Sequence, residues 1–370
     1  MRLLIAGDFC PRNRVSAAFE KEDYASVLSE VKELTAKSDY SIVNFECPVV
    51  IGKAKPLEKQ GPNLKCAEYG VKAIKYAGFD CVTLANNHFL DYGEKGVVDS
   101  LTSFDSQGMD HVGGGMNVAE ASNTLYKDIN GKRLAVINCC EHEFSIATTT
   151  TAGSNPLSPI RQYYAIMEAK KNADCVLVVV HGGHEHFQLP SLRMVETYRF
   201  FIDAGADAVV NHHQHCYSGY EVYKGKPIFY GLGNFCFDGN MSGKQLWHEG
   251  YMVSLNFEEQ VSFDILPYTQ CGEEPKVSFT RDNAFDERIK NLNNIIANPV
   301  LLEGAITRYY EKNASNYSVI FEPCNNRSFL ALKRRGWLPS LISKKRKLMA
   351  QNYIECEAHR DKLLYYFHNN

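Results

Sequence analysis

The chain has 370 residues, 45% of them hydrophobic and 22% charged, with a formal net charge of −3. That length exceeds one small domain and allows a large buried core. The near-neutral charge excludes a bulk basic field of the kind that binds nucleic acid, and the 21 Tyr and 20 Phe argue against disorder. The 12 Cys form no C-x-x-C pair, and Cys81, Cys139 and Cys175 lie inside apolar runs, so they are expected to be reduced packing residues. The opening run Met1–Ala6 is strand length, with no export-signal pattern and no later segment of membrane-spanning length, so a cytoplasmic protein is expected.

From the N-terminus, Leu3–Ala6 reads as a buried strand that closes on Gly7-Asp8. A helix over 24–36 carries Val27, Leu28, Val31 and Leu34 at helical spacing. Ser41–Glu46 is a second strand with a polar end. After a helix over 67–77, Cys81–Ala85 is a third, ending at Asn86-Asn87-His88. A helix over 94–107 precedes a strand at Leu134–Asn138, and residues 148–156 read as a mobile loop rich in Thr, Gly and Pro. A helix over 160–171 leads to the unbroken apolar run Cys175–Val180, which meets His181. A helix over 191–204 leads to Ala208–Val210 and His212-His213-Gln214-His215. A last strand, Lys226–Gly231, precedes Gly233-Asn234-Phe235. Apolar strands alternating with helices imply an α/β fold with a mainly parallel sheet covered on both faces. Residues 249–282 alternate and add antiparallel strands. The segment 283–370 is helical in pattern and more charged, so we place a boundary there: 1–282 as the main domain, 283–370 as a separable, partly basic helical extension. Seven basic residues between Lys333 and Lys347, interleaved with Trp337, Leu338, Leu341 and Ile342, read as a solvated helix face or as a contact with an anionic membrane surface.

Strand after strand ends in a polar residue, and ligands of open α/β sheets bind at the carboxyl ends of strands. Taken singly, Asp8 reads as a cap or turn residue, Glu46 as a loop acid, and Asn87-His88 as groups satisfying buried backbone. Taken together, Asp8, Glu46, Asn87, His88, His181, His213 and His215 match the carboxylate, amide and imidazole donors of a divalent-metal site, one or two ions of Zn, Mn or Fe type. Alternation along an extended chain would put His213 and His215 on one side.

Gly7-Asp8, Asn44-Phe45-Glu46, Ala85-Asn86-Asn87-His88 with Asp91-Tyr92-Gly93, His181-Gly182-Gly183-His184-Glu185, Gly205-Ala206-Asp207 leading to His212–His215, and Leu232-Gly233-Asn234-Phe235 together resemble the ordered motifs of the CapA family over residues 1 to about 240. The resemblance implies a four-layer α-β-β-α, calcineurin-like metallophosphoesterase core and a role in poly-γ-glutamate or capsule biosynthesis. It implies that Asp8, Glu46 and His215 hold a first metal. Glu46 then bridges to a second metal, held also by Asn87, His181 and His213. His88 is the implied acid or transition-state stabiliser, oriented by Asp91. Glu185 acts from nearby or contacts substrate, and Arg12 meets an anionic group. The implied substrate is an anionic polymer or phosphorylated intermediate, with peripheral contact to membrane or capsule-synthesis proteins and none to nucleic acid. The alternatives are a non-catalytic assembly subunit and a general small-molecule phosphoesterase. Three departures from the related phosphoesterases are Cys10 in place of the His of Asp-x-His, Glu46 in place of the bridging Asp, and Gln214 in place of a Pro common in the family. We expect Cys10 to pack rather than to ligate.

Overall fold

The computed structural model describes residues 1–239, 245–280, 283–318 and 343–369. Its strands, in chain order, are β1 (Arg2–Phe9), β2 (Tyr40–Phe45), β3 (Cys81–Thr83), β4 (Asp110–Val112), β5 (Gly114–Gly115), β6 (Leu125–Ile129), β7 (Lys132–Cys140) and β8 (Gly153–Ser154). They continue with β9 (Cys175–His181), β10 (Ala208–His212), β11 (Tyr220–Tyr223), β12 (Lys226–Phe229), β13 (Asn234–Cys236), β14 (Glu249–Phe257), β15 (Val261–Gln270) and β16 (Val277–Phe279).

Two sheets form the core, as the resemblance implies; hydrophobic periodicity alone suggests one. The first runs β16-β15-β14-β1-β2-β3-β4, with β13 also paired to β1. The second runs β11-β12-β10-β9-β7-β6, and β5 and β8 make a separate small pair. Hydrophobic periodicity marks a strand as buried but carries no label for the sheet it joins. The first sheet is parallel from β1 to its edge at β4 and antiparallel from β1 through β14 and β15 to β16. The second is parallel in its middle, with antiparallel β11 and β6 at its margins.

Side-chain alternation builds the layers. Along β1, Leu3 and Ile5 join a core shared with the second sheet, including Val136 and Val178, while Leu4 and Ala6 face a second core. That second core receives Val27, Leu28, Val31, Ile74, Val97 and Phe104 from helices Ala25–Thr35, Tyr69–Tyr76 and Gly93–Ser106. The far face of the second sheet is covered by helices Pro159–Asn172 and Leu192–Ala204 through Ile166, Met194, Tyr198 and Phe201. The order is therefore helix, sheet, sheet, helix.

The segment after 283 packs onto this core. Helix Asn283–Ala297 buries Phe285, Ile289, Leu292 and Ile296 in the inter-sheet core, and helix Pro299–Ser318 adds Leu302 and Ile306. Each such side chain stabilises by about 1.5–3 kcal/mol when fully buried, which speaks against a separable appendage. Lys333 to Ile342, most of the basic stretch, lies outside the described residues. Lys344–Lys347 form the exposed first turn of helix Lys344–Glu355, before a final helix Glu357–Asn369. Among the described residues no helix is long and apolar enough to cross a membrane, and the described cysteines are all buried and free.

The loop expected to be mobile is half structural. Thr148–Thr151 is exposed, but Ala152–Leu157 is buried. Ser154 Oγ donates toward the carbonyls of Leu84 (3.2 Å) and Asn86 (2.9 Å), and the Asn155 amide donates to Asn138 O at 2.8 Å. These bonds brace the Asn86–His88 turn, and the composition of the loop does not reveal them because the partners of Ser154 are about 70 residues upstream.

Candidate metal centre

The carboxyl ends of both sheets meet at one rim. In the first sheet Asp8 is in register with Asn44, and Asn44 with Thr83. In the second, Cys140, His181 and His212 lie side by side. Each strand leaves its sheet here, so Glu46, Asn87, Glu143, His213 and His215 follow within a few residues.

Asp8 reaches the rim through a close backbone approach. A Cβ on Gly7 would sit 2.0 Å from Gly233 O, and Gly233 itself has φ +81°. Both glycines let the Asp8 N–H donate to Gly233 O at 3.1 Å. The Asp8 carboxylate accepts from Asn44 Nδ2 (2.7 Å) and from the His213 backbone N–H (3.2 Å).

Glu46 lies at the centre. Its Oε1 is 3.7 Å from His181 Nε2 and 3.7 Å from His215 Nε2. Two donor clusters share it: Asp8, Glu46 and His215 on one side, and Glu46, His181 and His213 on the other, with the donor atoms of each within 4.8 Å of one another. His181 Nε2 is 3.1 Å from His213 Nδ1 and 3.0 Å from the Asn87 amide oxygen. His215 Nδ1 lies 2.9 Å from Asn234 Oδ1, which holds its ring.

Both carboxylate oxygens of Glu46 are buried without a hydrogen-bond partner. Burial first, then the negative charge of Asp8 close by, pushes its carboxyl well above the usual range. Burial first, then the neighbouring imidazoles of His213, His212 and His215, holds His181 well below its ordinary value, so its ring is neutral and has a lone pair to give. A buried carboxylate without donors, ringed by imidazoles, is costly alone and is satisfied by cations. The residues present fit divalent metals.

His213 and His215 both face this site, but not by strand alternation. β10 ends at His212, and the backbone turns left-handed at His213 (φ +93°) and His215 (φ +53°). Asn211 makes the turn possible: its amide donates to the carbonyls of Gly182, His212 and Tyr230 at 2.9–3.0 Å, and its oxygen accepts from Tyr198.

His88 stands beside this arrangement, with Nδ1 2.7 Å from Asp91 Oδ2. Lys59 forms an ion pair with Asp91, and its Nζ lies 3.2 Å from the same His88 nitrogen. Burial first, then Lys59, lowers the His88 pKa against the pull of Asp91. Lys59 lies in an unpatterned loop and only the fold finds it. Arg12 caps helix Asn13–Phe19 with its guanidinium 5.9 Å from the Phe237 ring, and Phe237 packs edge-on against His215. Glu185 is solvent-exposed; desolvation by its surroundings raises its carboxyl, but His215 and then His213 outweigh that and hold it below the usual carboxylate range.

Two further groups stand at the site: His212, which the sequence motif includes without a role, and Glu143, which no motif marks. His212 is buried, with Nδ1 3.5 Å from Asp8 and neither ring nitrogen hydrogen-bonded. Glu143 accepts from the Asn87 amide at 3.1 Å. The C-terminal helices close around this edge: His142 Nδ1 lies 2.8 Å from Glu357, Arg193 3.5 Å from Asp361, and His184 Nε2 3.1 Å from the Tyr310 hydroxyl. A cavity of about 710 Å³ opens beside Lys59, Phe144 and Asn352.

Cys10 is fully buried in the apolar core with Phe9, Cys47 and Cys236 and belongs to neither donor cluster around Glu46. Cys10→Ser is expected to leave metal stoichiometry unchanged in elemental analysis. Loss of one metal per chain would make Cys10 a ligand.

A family model described as bacterial capsule synthesis protein PGA_cap matches residues 2–239. Over 246 residues the chain is 36% identical to the capsule biosynthesis protein CapA of Bacillus anthracis, a match covering 64% of this chain and 60% of that protein. Over 235 residues it is 35% identical to the PGA biosynthesis protein CapA of Bacillus subtilis (strain 168), covering 63% and 62%. The chain thus spans less than two thirds of the length of these relatives. Among solved structures it is similar to a 5'-nucleotidase precursor from Thermus thermophilus, with TM-score 0.46, 9% identity, and coverage of 79% of this chain and 57% of that one. A 5'-nucleotidase from Candida albicans is similar at TM-score 0.44 and 10% identity, over 84% of this chain and 57% of that one.

Proposed function

Because the chain belongs to the bacterial capsule synthesis PGA_cap family, we propose that it is a metal-dependent hydrolase of poly-γ-glutamate or capsule synthesis, of metallophosphoesterase type, acting on an anionic polymer or a phosphorylated intermediate. The observation that supports this most is Glu46, a buried carboxylate with no hydrogen-bond donor, shared by two clusters of imidazole and carboxylate.

In this reading Asp8, Glu46 and His215 hold one divalent ion, and Glu46, Asn87, His181 and His213 hold another, of Mn, Zn or Fe type. Such ions polarise a substrate oxygen and lower the pKa of bound water. The chain's own residues do the rest. Asn44 and the His213 N–H keep the Asp8 carboxylate in place. His88 carries a proton at the reacting group, with Asp91 and Lys59 fixing its ring. Glu185 and Arg12 stand at the mouth, Arg12 to meet an anionic group. The C-terminal helices limit water on one side. A cytoplasmic location, with peripheral contact to membrane or to capsule-synthesis proteins, fits the reduced cysteines.

The test is metal analysis of the full chain, then assay of the stripped and Mn²⁺-, Zn²⁺- or Fe²⁺-reloaded protein on p-nitrophenyl phosphate, bis-p-nitrophenyl phosphate and poly-γ-glutamate. Metal-restored cleavage of a phosphoester or of the polymer is the expected result. A metal-loaded protein inert on all three would favour the second reading, an assembly subunit that keeps the fold. The observation on that side is Cys10, which puts a buried thiol where the related phosphoesterases place an imidazole.

A further inference from the structure

Outside the centre described above, one more group of unlike donors converges among the described residues, and most of it comes from beyond the family match. Glu143 lies on the loop after β7. Asn352, Cys356 and His359 lie around the break between helices Lys344–Glu355 and Glu357–Asn369. His359 Nε2 is 3.4 Å from Glu143 Oε1, and Asn352 Nδ2 donates to the same oxygen at 3.3 Å. One donor atom each from Glu143, Cys356 and His359 falls within 4.8 Å of the others.

We propose that Glu143, Cys356 and His359, joined by the Asn352 amide oxygen, form a further divalent-cation site of Zn²⁺ type that clamps the two C-terminal helices over the edge of the candidate metal centre. This proposal does not depend on the hydrolase reading.

The donor set selects the ion. Thiolate, imidazole and carboxylate together suit Zn²⁺ and disfavour Mg²⁺ or Ca²⁺. A tetrahedral site with the usual zinc bond lengths has donor–donor edges of about 3.5 Å, so the donors need to move inward by only about 1 Å. Asn352 supplies an independent sign. It is buried and its Oδ1 has no hydrogen-bond partner, although its Nδ2 lies against Glu143. Turning that amide would present its oxygen to a cation as a fourth donor. Cys356 must bind as thiolate, so its proton leaves to water as the metal enters.

The consequence lies in the geometry of Glu143. Oε1 faces His359 and Asn352, while Oε2 accepts from Asn87 Nδ2 at 3.1 Å and lies 3.9 Å from His213 Nε2. A cation on Oε1 fixes the carboxylate and, through it, the amide whose oxygen lies 3.0 Å from His181. Cys356 and His359 are thus positioning residues, and residues far outside the sheets set a group inside them.

The test uses the full chain, stripped of metal and reloaded with Co²⁺. The centre around Glu46 has no thiol in its donor set, so a near-ultraviolet thiolate-to-cobalt charge-transfer band reports only on this site. The expected result is a band present in the wild type and in Cys10→Ser, still present in Glu46→Gln, and absent in Cys356→Ser, which also loses one metal per chain. His359→Ala is a second variant expected to lose that same metal. In the wild type, Zn²⁺ is expected to slow hydrogen exchange across 344–369 beyond what Mn²⁺ achieves. Absence of the band in reloaded wild type, or a band that survives Cys356→Ser, overturns the site. Either outcome would leave Glu143 and His359 as a simple hydrogen-bonded pair.

Discussion

Glu46→Gln is expected to empty both donor clusters at once, whereas replacement of any unshared ligand should weaken mainly one. Glu46 is the member common to both, its Oε1 3.7 Å from His181 Nε2 and from His215 Nε2. Gln keeps the shape but removes the charge, and it brings an NH₂ that presents hydrogens where a cation needs lone pairs. In the cluster with His181 and His213, Glu46 is the only carboxylate, so that cluster loses its whole negative charge. The metal-free variant should be no less stable than metal-free wild type, because a buried carboxylate without donors is itself costly. What disappears is the stabilisation by metal, about 2.7 kcal/mol at a hundredfold excess over Kd. Elemental analysis and thermal melts with and without Mn²⁺ measure both quantities. Full metal content in the variant would remove Glu46 from its bridging role and with it the two-ion reading.

His88→Ala should do the opposite: metal content stays and turnover falls by about 10²–10⁴, the usual worth of a positioned proton carrier. His88 belongs to neither donor cluster around Glu46. Its ring is instead set by Asp91 at 2.7 Å, and Asp91 by Lys59 and by the Leu64 N–H at 2.5 Å. Asp91→Asn should therefore lower kcat while leaving metal content near wild type, and it should also cost stability, because it leaves the buried Lys59 without its carboxylate. The measurement is kcat and KM on whichever substrate the reloaded protein cleaves, with metal analysis of the same samples. Wild-type turnover in His88→Ala would take this residue out of the chemistry, and loss of metal would make it a ligand instead.

The sequence by itself determined where the polar residues of this protein would gather. Strands buried on both faces must be continuous apolar runs, so the first polar residue after each run marks the point where the chain leaves its sheet. Asp8, Glu46, Asn87, His181 and His213 each stand within a few residues of such a point, and the structure brings them together at one rim. Local pattern does not record the partner of a strand, so periodicity alone read one sheet, and the two-sheet core came only from the ordered motifs that resemble the CapA family. Nor does it record a left-handed backbone at a residue other than glycine, and His213 and His215 reach the site by that route. Only the tertiary structure decided the remainder. Lys59 meets His88 across 29 positions, and Asn352 meets Glu143 across 209. Contacts at such separations are set by how loops and helices pack on the finished core, and no short-range period in the chain encodes them.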